Sequence, residues 1–257
     1  TGAGDRSHFG SSKHRSARDT RPRCHQPSAN TMPTYKLTYF AVRGVAEVIR
    51  MEFAVAKQDY EDFRFPLTFG VPGDFSTMIR KEFDEAKASG ALKASMGQVP
   101  LLEVDGVKIG QSKAIERFLA KRFGLAGSSD VEEAIIDALC ETVRDGKDAY
   151  QKKRNIADAD EKKAAMEKYF AEELPEFVGK AEQSVPEGPG PFLVGGKLSL
   201  ADLHWFQFLA APKGFFDNAE GAKAAFQACP KIKAAVEAVA ANPEIQAWIE
   251  KRPDTFL

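Results

Sequence analysis

The feature that most restricts what this chain can fold into is a pair of short apolar runs around Asp105-Gly106. Val99-Pro-Leu-Leu-Glu-Val104 precedes the pair and Val107 to Gly110 follows it. Two β-rich runs joined by Asp-Gly predict a hairpin, because both turn residues tolerate positive φ. Upstream, Tyr35 to Phe40 alternates, with Tyr35, Leu37 and Tyr39 on one face. Gly44 introduces a helical stretch in which Val45, Val48, Ile49 and Phe53 recur at helical spacing. Tyr60 to Phe65 reads as a second strand, Pro66 to Gly73 as a loop, and about Asp74 to Ala88 as a helix. Ser112 opens another helix after the hairpin, with Ile115, Phe118 and Leu119 on its buried face. The order is β-α-β-α-β-β-α. Its closing hairpin is antiparallel, so the sheet is mixed and a doubly wound dinucleotide fold is excluded. Neither G-x-G-x-x-G nor a P-loop is present.

After a break at Gly127-Ser129 the pattern is helical throughout. Helices are expected at about 130–152, 158–183, 199–211, 220–228 and 230–250. A small α/β domain over residues 32–124, followed by an all-α domain over 130–257, is the simplest arrangement. Hydrophobic residues make up 43% of the chain, enough for two such cores. The net charge of −1 argues against a broad footprint for nucleic acid or an anionic membrane. No apolar run approaches the roughly 20 residues needed to cross a bilayer. Cys24, Cys140 and Cys229 lie far apart, which predicts no disulfide framework and a reducing, cytoplasmic location. Residues 1–31 differ from the rest: six basic side chains face two acidic ones, and apolar residues are almost absent. That segment is expected to be a disordered tail or an upstream artefact, with a targeting peptide as the alternative.

Three stretches are recognisable. Tyr35-Lys-Leu-Thr-Tyr-Phe-Ala-Val-Arg-Gly44 resembles the opening of sigma-class, prostaglandin D synthase-like cytosolic glutathione transferases. Gly97-Gln-Val-Pro-Leu-Leu-Glu-Val-Asp-Gly106, with Gln111-Ser112, resembles that family's glutathione-binding stretch, and Ala247-Trp-Ile-Glu-Lys-Arg-Pro253 its C-terminus. The resemblance spans about Met32 to Leu257 and implies a thioredoxin-like first domain, glutathione as co-substrate, small apolar electrophiles as partners, and a homodimer.

Free thiols titrate near 8.5, so lowering that of glutathione to about 6.5 requires about 2.7 kcal/mol of thiolate stabilisation. One hydrogen bond to a charged acceptor contributes about 1.5–3 kcal/mol, so a single positioned hydroxyl suffices. Taken alone, a tyrosine on an alternating strand is a core residue; the resemblance makes Tyr39 the thiol-activating residue. It also implies that Gln98, Val99, Pro100, Gln111 and Ser112 hold glutathione. Val99-Pro100 is expected to be a cis step presenting its backbone to the peptide, and Ser112 an N-cap favouring the γ-glutamyl carboxylate. Phe75 and Arg80 are the nearest candidates for the glycyl carboxylate. Asp145 resembles the acidic residue donated to the neighbouring subunit's ligand ammonium. Arg144 interrupts the acidic cluster that holds a divalent cation in prostaglandin D synthases, so no metal is expected, nor that specific enzyme.

Ser199-Leu-Ala-Asp202 reads as a capping box with a structural role. His204 aligns with a second-substrate position or packs as a core residue. Phe40, Val42, Val45, Phe208 and Leu257 complete an apolar pocket or belong to the core. One position departs from the family: where many sigma-class enzymes carry an arginine supporting the tyrosine, this chain has Val45, with Arg43 two residues earlier. The expected function is glutathione conjugation. The alternatives are a non-catalytic, crystallin-like structural or ligand-carrying protein, and a glutathione-dependent isomerase or peroxidase.

Overall fold

The computed structural model describes residues 1–2, 33–71 and 75–255, and Pro33–Leu257 forms one compact body. Beyond its first two residues, the segment 1–31, expected to be a disordered tail, lies outside the described residues.

The first domain runs β1 (Tyr35–Phe40), α1 (Glu47–Val55), β2 (Glu61–Phe65), β3 (Thr68–Phe69), β4 (Met78–Ile79), α2 (Lys81–Ala88), β5 (Leu101–Val104), β6 (Val107–Gly110) and α3 (Ser112–Phe123). The sheet order is β2-β1-β5-β6, with β1 parallel to β2 and antiparallel to β5. Asp105 and Gly106 take φ of +49° and +83°, and β5 and β6 pair antiparallel on either side of them. Strand alternation divides the side chains between two cores. Tyr35, Leu37 and Tyr39 pack with Phe53, Ile115 and Leu119 from α1 and α3. Phe65 and Leu101 pack with Phe83 and Leu92 on the other face. One expectation fails here. The helix predicted from Asp74 begins only at Lys81, and Met78–Ile79 instead pairs with Thr68–Phe69 as a separate ribbon. The Thr-Phe and Met-Ile pairs carry β-branched and aromatic side chains that favour this pairing over helix.

The second domain holds α4 (Asp130–Arg154), α5 (Ala159–Lys168), α6 (Leu174–Ser184), α7 (Leu200–Leu209), α8 (Ala219–Ala225), α9 (Pro230–Ala240) and α10 (Pro243–Lys251). The helix expected over 158–183 is α5 and α6, joined by a π turn at Tyr169–Glu173 just before Pro175, which has no N–H to donate. The helix expected over 230–250 is two helices. Asn242 Oδ1 accepts the N–H groups of Glu244 and Ile245 at 2.9 and 3.2 Å, and Pro243 starts α10. An Asn-Pro cap therefore overrides a continuing apolar period. Every residue of α7 is buried, and it packs against α4, α9 and α1. Asp202 anchors its start, accepting from the Ser199 and Leu193 N–H groups at 2.7 and 2.8 Å.

The C-terminal motif closes on the first domain. Trp248 Nε1 donates to the buried Glu47 carboxylate at 2.9 Å, and Arg252 donates to the same oxygen. Among the described residues, no helix is long and apolar enough to cross a membrane.

Candidate active site

After β1 the chain doubles back over Tyr39. Gly44 has φ +43°, and a Cβ there would lie 2.6 Å from Tyr39 Oη, so glycine is required for this approach. The turn places the Val45 N–H 3.4 Å from Oη, long for a hydrogen bond. Burial raises the Tyr39 pKa above its ordinary value, opposed by the Val45 N–H and the Arg50 guanidinium. The phenol therefore keeps its proton at neutral pH, and its O–H is able to donate. Arg50 lies 5.9 Å over the Tyr39 ring and is held by Asp62 (3.2 Å) and the Val42 carbonyl (2.7 Å). Arg43 does not stand in for the arginine replaced by Val45. Its guanidinium donates to the Thr255 carbonyl and hydroxyl at 2.5 and 3.0 Å.

Gln111 and Ser112 line the join between sheet and helix, with one correction. Ser112 is the first helical residue of α3, and Gln111 is its cap, with φ +71°. A single residue separates β6 from α3, so Gln111 makes the whole turn in a conformation that non-glycine residues adopt rarely. The Ser112 hydroxyl has no hydrogen-bond partner among the described residues, and Ser112 faces the same cavity as Tyr39. The Val99–Pro100 peptide is cis. Val99 precedes β5, and its main-chain groups make no hydrogen bond among the described residues. Gln98 is exposed and fixed by Ser95, whose carbonyl accepts its N–H at 3.0 Å.

Arg80 turns towards Asp84 at 3.2 Å and lies over the Phe83 ring, apart from the cavity. Lys87, which the sequence reading passed over, lies against Gly97, where an added Cβ would meet its Cε at 3.0 Å. The Phe75 side chain and Leu257 lie outside the described residues. Asp145 is exposed on α4 and does not line this chain's own cavity. Among the described residues, no three His, Cys, Asp or Glu side chains gather as a metal site.

The cavity has a volume of about 1470 Å³ and lies between the Gly44-Val45 turn, α3, α4, α7 and the segment 210–217. Val45, His204 and Phe208 line it. Phe40 and Val42 do not. Alternation sends the Phe40 ring to the opposite sheet face, 4.9 Å from that of Phe83, and Val42 is buried with Tyr35 and Leu37.

His204 is 1% exposed and part of a polar cluster that the sequence reading missed. Its Nε2 lies 3.0 Å from Glu116, which also accepts from Lys113 at 2.8 Å. Burial pushes the His204 pKa down to about 4, so the imidazole is neutral and donates from Nε2. Burial alone would raise Glu116, but His204 and Lys113 together hold it below its ordinary value. Farther along α4, Lys147 Nζ donates to Gln207 Oε1 at 2.6 Å. A signal existed: Val143, Lys147 and Tyr150 share one helical stripe, and only the lysine is charged.

A mixed four-stranded sheet of this order followed by an attached helical domain is the glutathione transferase fold. Comparison with known proteins agrees. Residues 147–252 match the family "Glutathione S-transferase, C-terminal domain". The chain is 34% identical over 230 residues to hematopoietic prostaglandin D synthase of Gallus gallus, covering 88% of this chain and all of that protein. It is 33% identical to glutathione S-transferase S1 of Drosophila melanogaster, covering 86% of this chain and 80% of the relative. A crystal structure of a monomeric glutathione S-transferase from Necator americanus, Na-GST-3, superposes with a TM-score of 0.70 at 34% identity, covering 87% of this chain and all of that one. The chain belongs to the glutathione S-transferase family.

Proposed function

We propose that this protein is a sigma-like transferase that conjugates glutathione to apolar electrophiles, with Tyr39 donating its hydroxyl hydrogen bond to the thiolate. The observation carrying this reading is the placement of that hydroxyl: it faces the cavity and, among the described residues, is met only by a long contact from the Val45 N–H. Ser112 and the free N–H groups of α3 suit the γ-glutamyl carboxylate, with Gln111 beside them. The free main-chain groups of Val99, flanked by Gln98 and Pro100, suit pairing with an extended peptide. Lys87, which lies against Gly97 beside the Gln98-Val99 stretch, is a further candidate with Arg80 for the glycyl carboxylate. Asp145 is assigned to the partner subunit's glutathione in a homodimer, and the cytoplasm is the expected location.

The test is the ultraviolet thiolate absorbance of bound glutathione across pH, for the wild type and Tyr39→Phe. A thiol pKa lowered only in the wild type is the expected result. Absence of glutathione binding would overturn the reading. A second reading, a ligand carrier, is favoured by one observation: with Arg43 committed to Thr255, no guanidinium among the described residues bonds the Tyr39 hydroxyl. Glutathione bound with an unshifted thiol would select it.

A further inference from the structure

Lys147 is a cation without a counter-charge on the wall of a largely apolar cavity. Phe208, Phe215, Phe216, Phe226 and Val236 line the same space, and the Phe215 ring centre is 5.2 Å from Nζ. Among the described residues, no carboxylate lies within 4.0 Å of Nζ; its one hydrogen bond goes to the neutral amide of Gln207.

The charged neighbours do not supply what is missing. From α3, Glu116 is already shared between Lys113 and His204, so that group sums to no net charge. From α7, His204 is neutral. Cys140, on α4 itself, is buried and its thiol is pushed well above its ordinary value, so it carries no charge. Asp148, Asp217, Glu220 and Glu237 also line the cavity without approaching Nζ within 4.0 Å, and burial together with Lys113 pushes the Lys147 ammonium down to about 7. A partly buried ion of this kind is favoured by losing its charge or by receiving a partner from outside.

We propose that the α4–α7 wall is a recognition subsite for an acidic end group, with Lys147 as its counter-ion, and that the second substrate is an extended apolar molecule bearing a carboxylate. This rests on the transferase reading and names its substrate class. One ammonium beside a neutral amide matches a monoanion. Two of the three Nζ hydrogens remain free, and the Gln207 NH2 group has no partner among the described residues, which matches the two oxygens of a carboxylate. The size of the cavity agrees. Common small-molecule sites measure about 300–1,000 Å³, so 1470 Å³ leaves room for a long chain beside glutathione.

Calorimetric titration of the whole protein with dodecanoate and with dodecan-1-ol, in the presence of saturating S-methylglutathione, tests this. The wild type is expected to bind the acid at least about tenfold tighter than the alcohol, the scale of one charge-assisted hydrogen bond. At pH 8, buffers of different ionisation enthalpy should reveal net proton uptake on binding the acid, as Lys147 regains its proton. Lys147→Met should abolish both the preference and the uptake, and Lys147→Arg should keep the preference without the uptake. Equal affinities in the wild type, absence of proton uptake, or a preference that survives Lys147→Met would overturn the proposal. Should Lys147→Met fail to fold, the wild-type uptake and the arginine variant decide alone. If S-methylglutathione binds normally while the acid shows no preference, this inference fails and the transferase reading stands. Failure to bind S-methylglutathione would strike that reading instead.

Discussion

The two halves of the candidate site are made from different materials. On the thiol side the working groups are mostly main chain: the Val45 N–H, the start of α3, the unpaired backbone of Val99, and the two positive-φ residues Gly44 and Gln111. On the α4–α7 side they are side chains drawn from three helices: Lys113, Glu116, Lys147, His204 and Gln207. A main-chain site is specified by turn chemistry and changes little with surface substitution. A side-chain network in low dielectric depends on each member, since removing one leaves another buried and unpaired. Under the proposed function, the first half is assigned to the co-substrate and the second to substrate choice.

The sharpest way to break this contrast is Glu116→Ala. It strands Lys113 beside Lys147 and leaves His204 without its acceptor, so unfolding free energy should fall by about 3–5 kcal/mol. Denaturant titration measures it; a loss below about 1 kcal/mol would mean that the cluster is solvated. Lys147→Met should act in the opposite direction. Folding lowers the lysine's pKa from 10.5 to about 7, so the unfolded chain binds more protons between those values. The cost of burying the ammonium is therefore complete below pH 7 and fades as pH rises towards 10.5. The variant should be about 2–4 kcal/mol more stable than the wild type at pH 6, with the difference shrinking steadily by pH 9.5. A constant difference across that range would assign the effect to packing.

On the thiol side, Tyr39→Phe should leave folding nearly unchanged and lower kcat/KM about 10- to 100-fold, the scale of one hydrogen bond to a thiolate. Steady-state kinetics with a chromogenic electrophile reads this directly. The smallest effect is expected for Asp145→Asn, which should weaken glutathione binding about three- to tenfold if its carboxylate reaches a partner subunit's ligand, as an exposed ion pair would. Unchanged binding, together with a monomeric mass in sedimentation, would remove Asp145 and the homodimer from the proposal.

Much of the thiol half was legible because its signals are local. Asp105-Gly106 announced the hairpin, and the Tyr35–Phe40 alternation placed Tyr39 on a buried face. The shift of the cap from Ser112 to Gln111 depends on how closely β6 runs into α3, which no residue preference reveals. Phe40 and Val42 were assigned to the pocket, although alternation along β1 already set Phe40 opposite Tyr39. The Asn242-Pro243 cap was readable and was overlooked under a continuing apolar period. The C-terminal Trp248 and Arg252 carried a recognisable pattern without a visible reason, and their common acceptor, Glu47, lies about two hundred residues away.

The sequence by itself predicted most of the elements, their order and the mixed sheet, since turn residues and side-chain periodicity act over a few positions; the β3–β4 ribbon and the division of two long helices came only with the structure. Tertiary structure alone decided the partners of the charges: that Arg43 serves Thr255 and not Tyr39, that His204 meets Glu116, and that Lys147 faces a cavity with no carboxylate within 4.0 Å of Nζ among the described residues. A charge in a sequence carries no record of its distance from another charge or of the water between them. Those two quantities set its energy, and only the packing of α3, α4 and α7 supplies them.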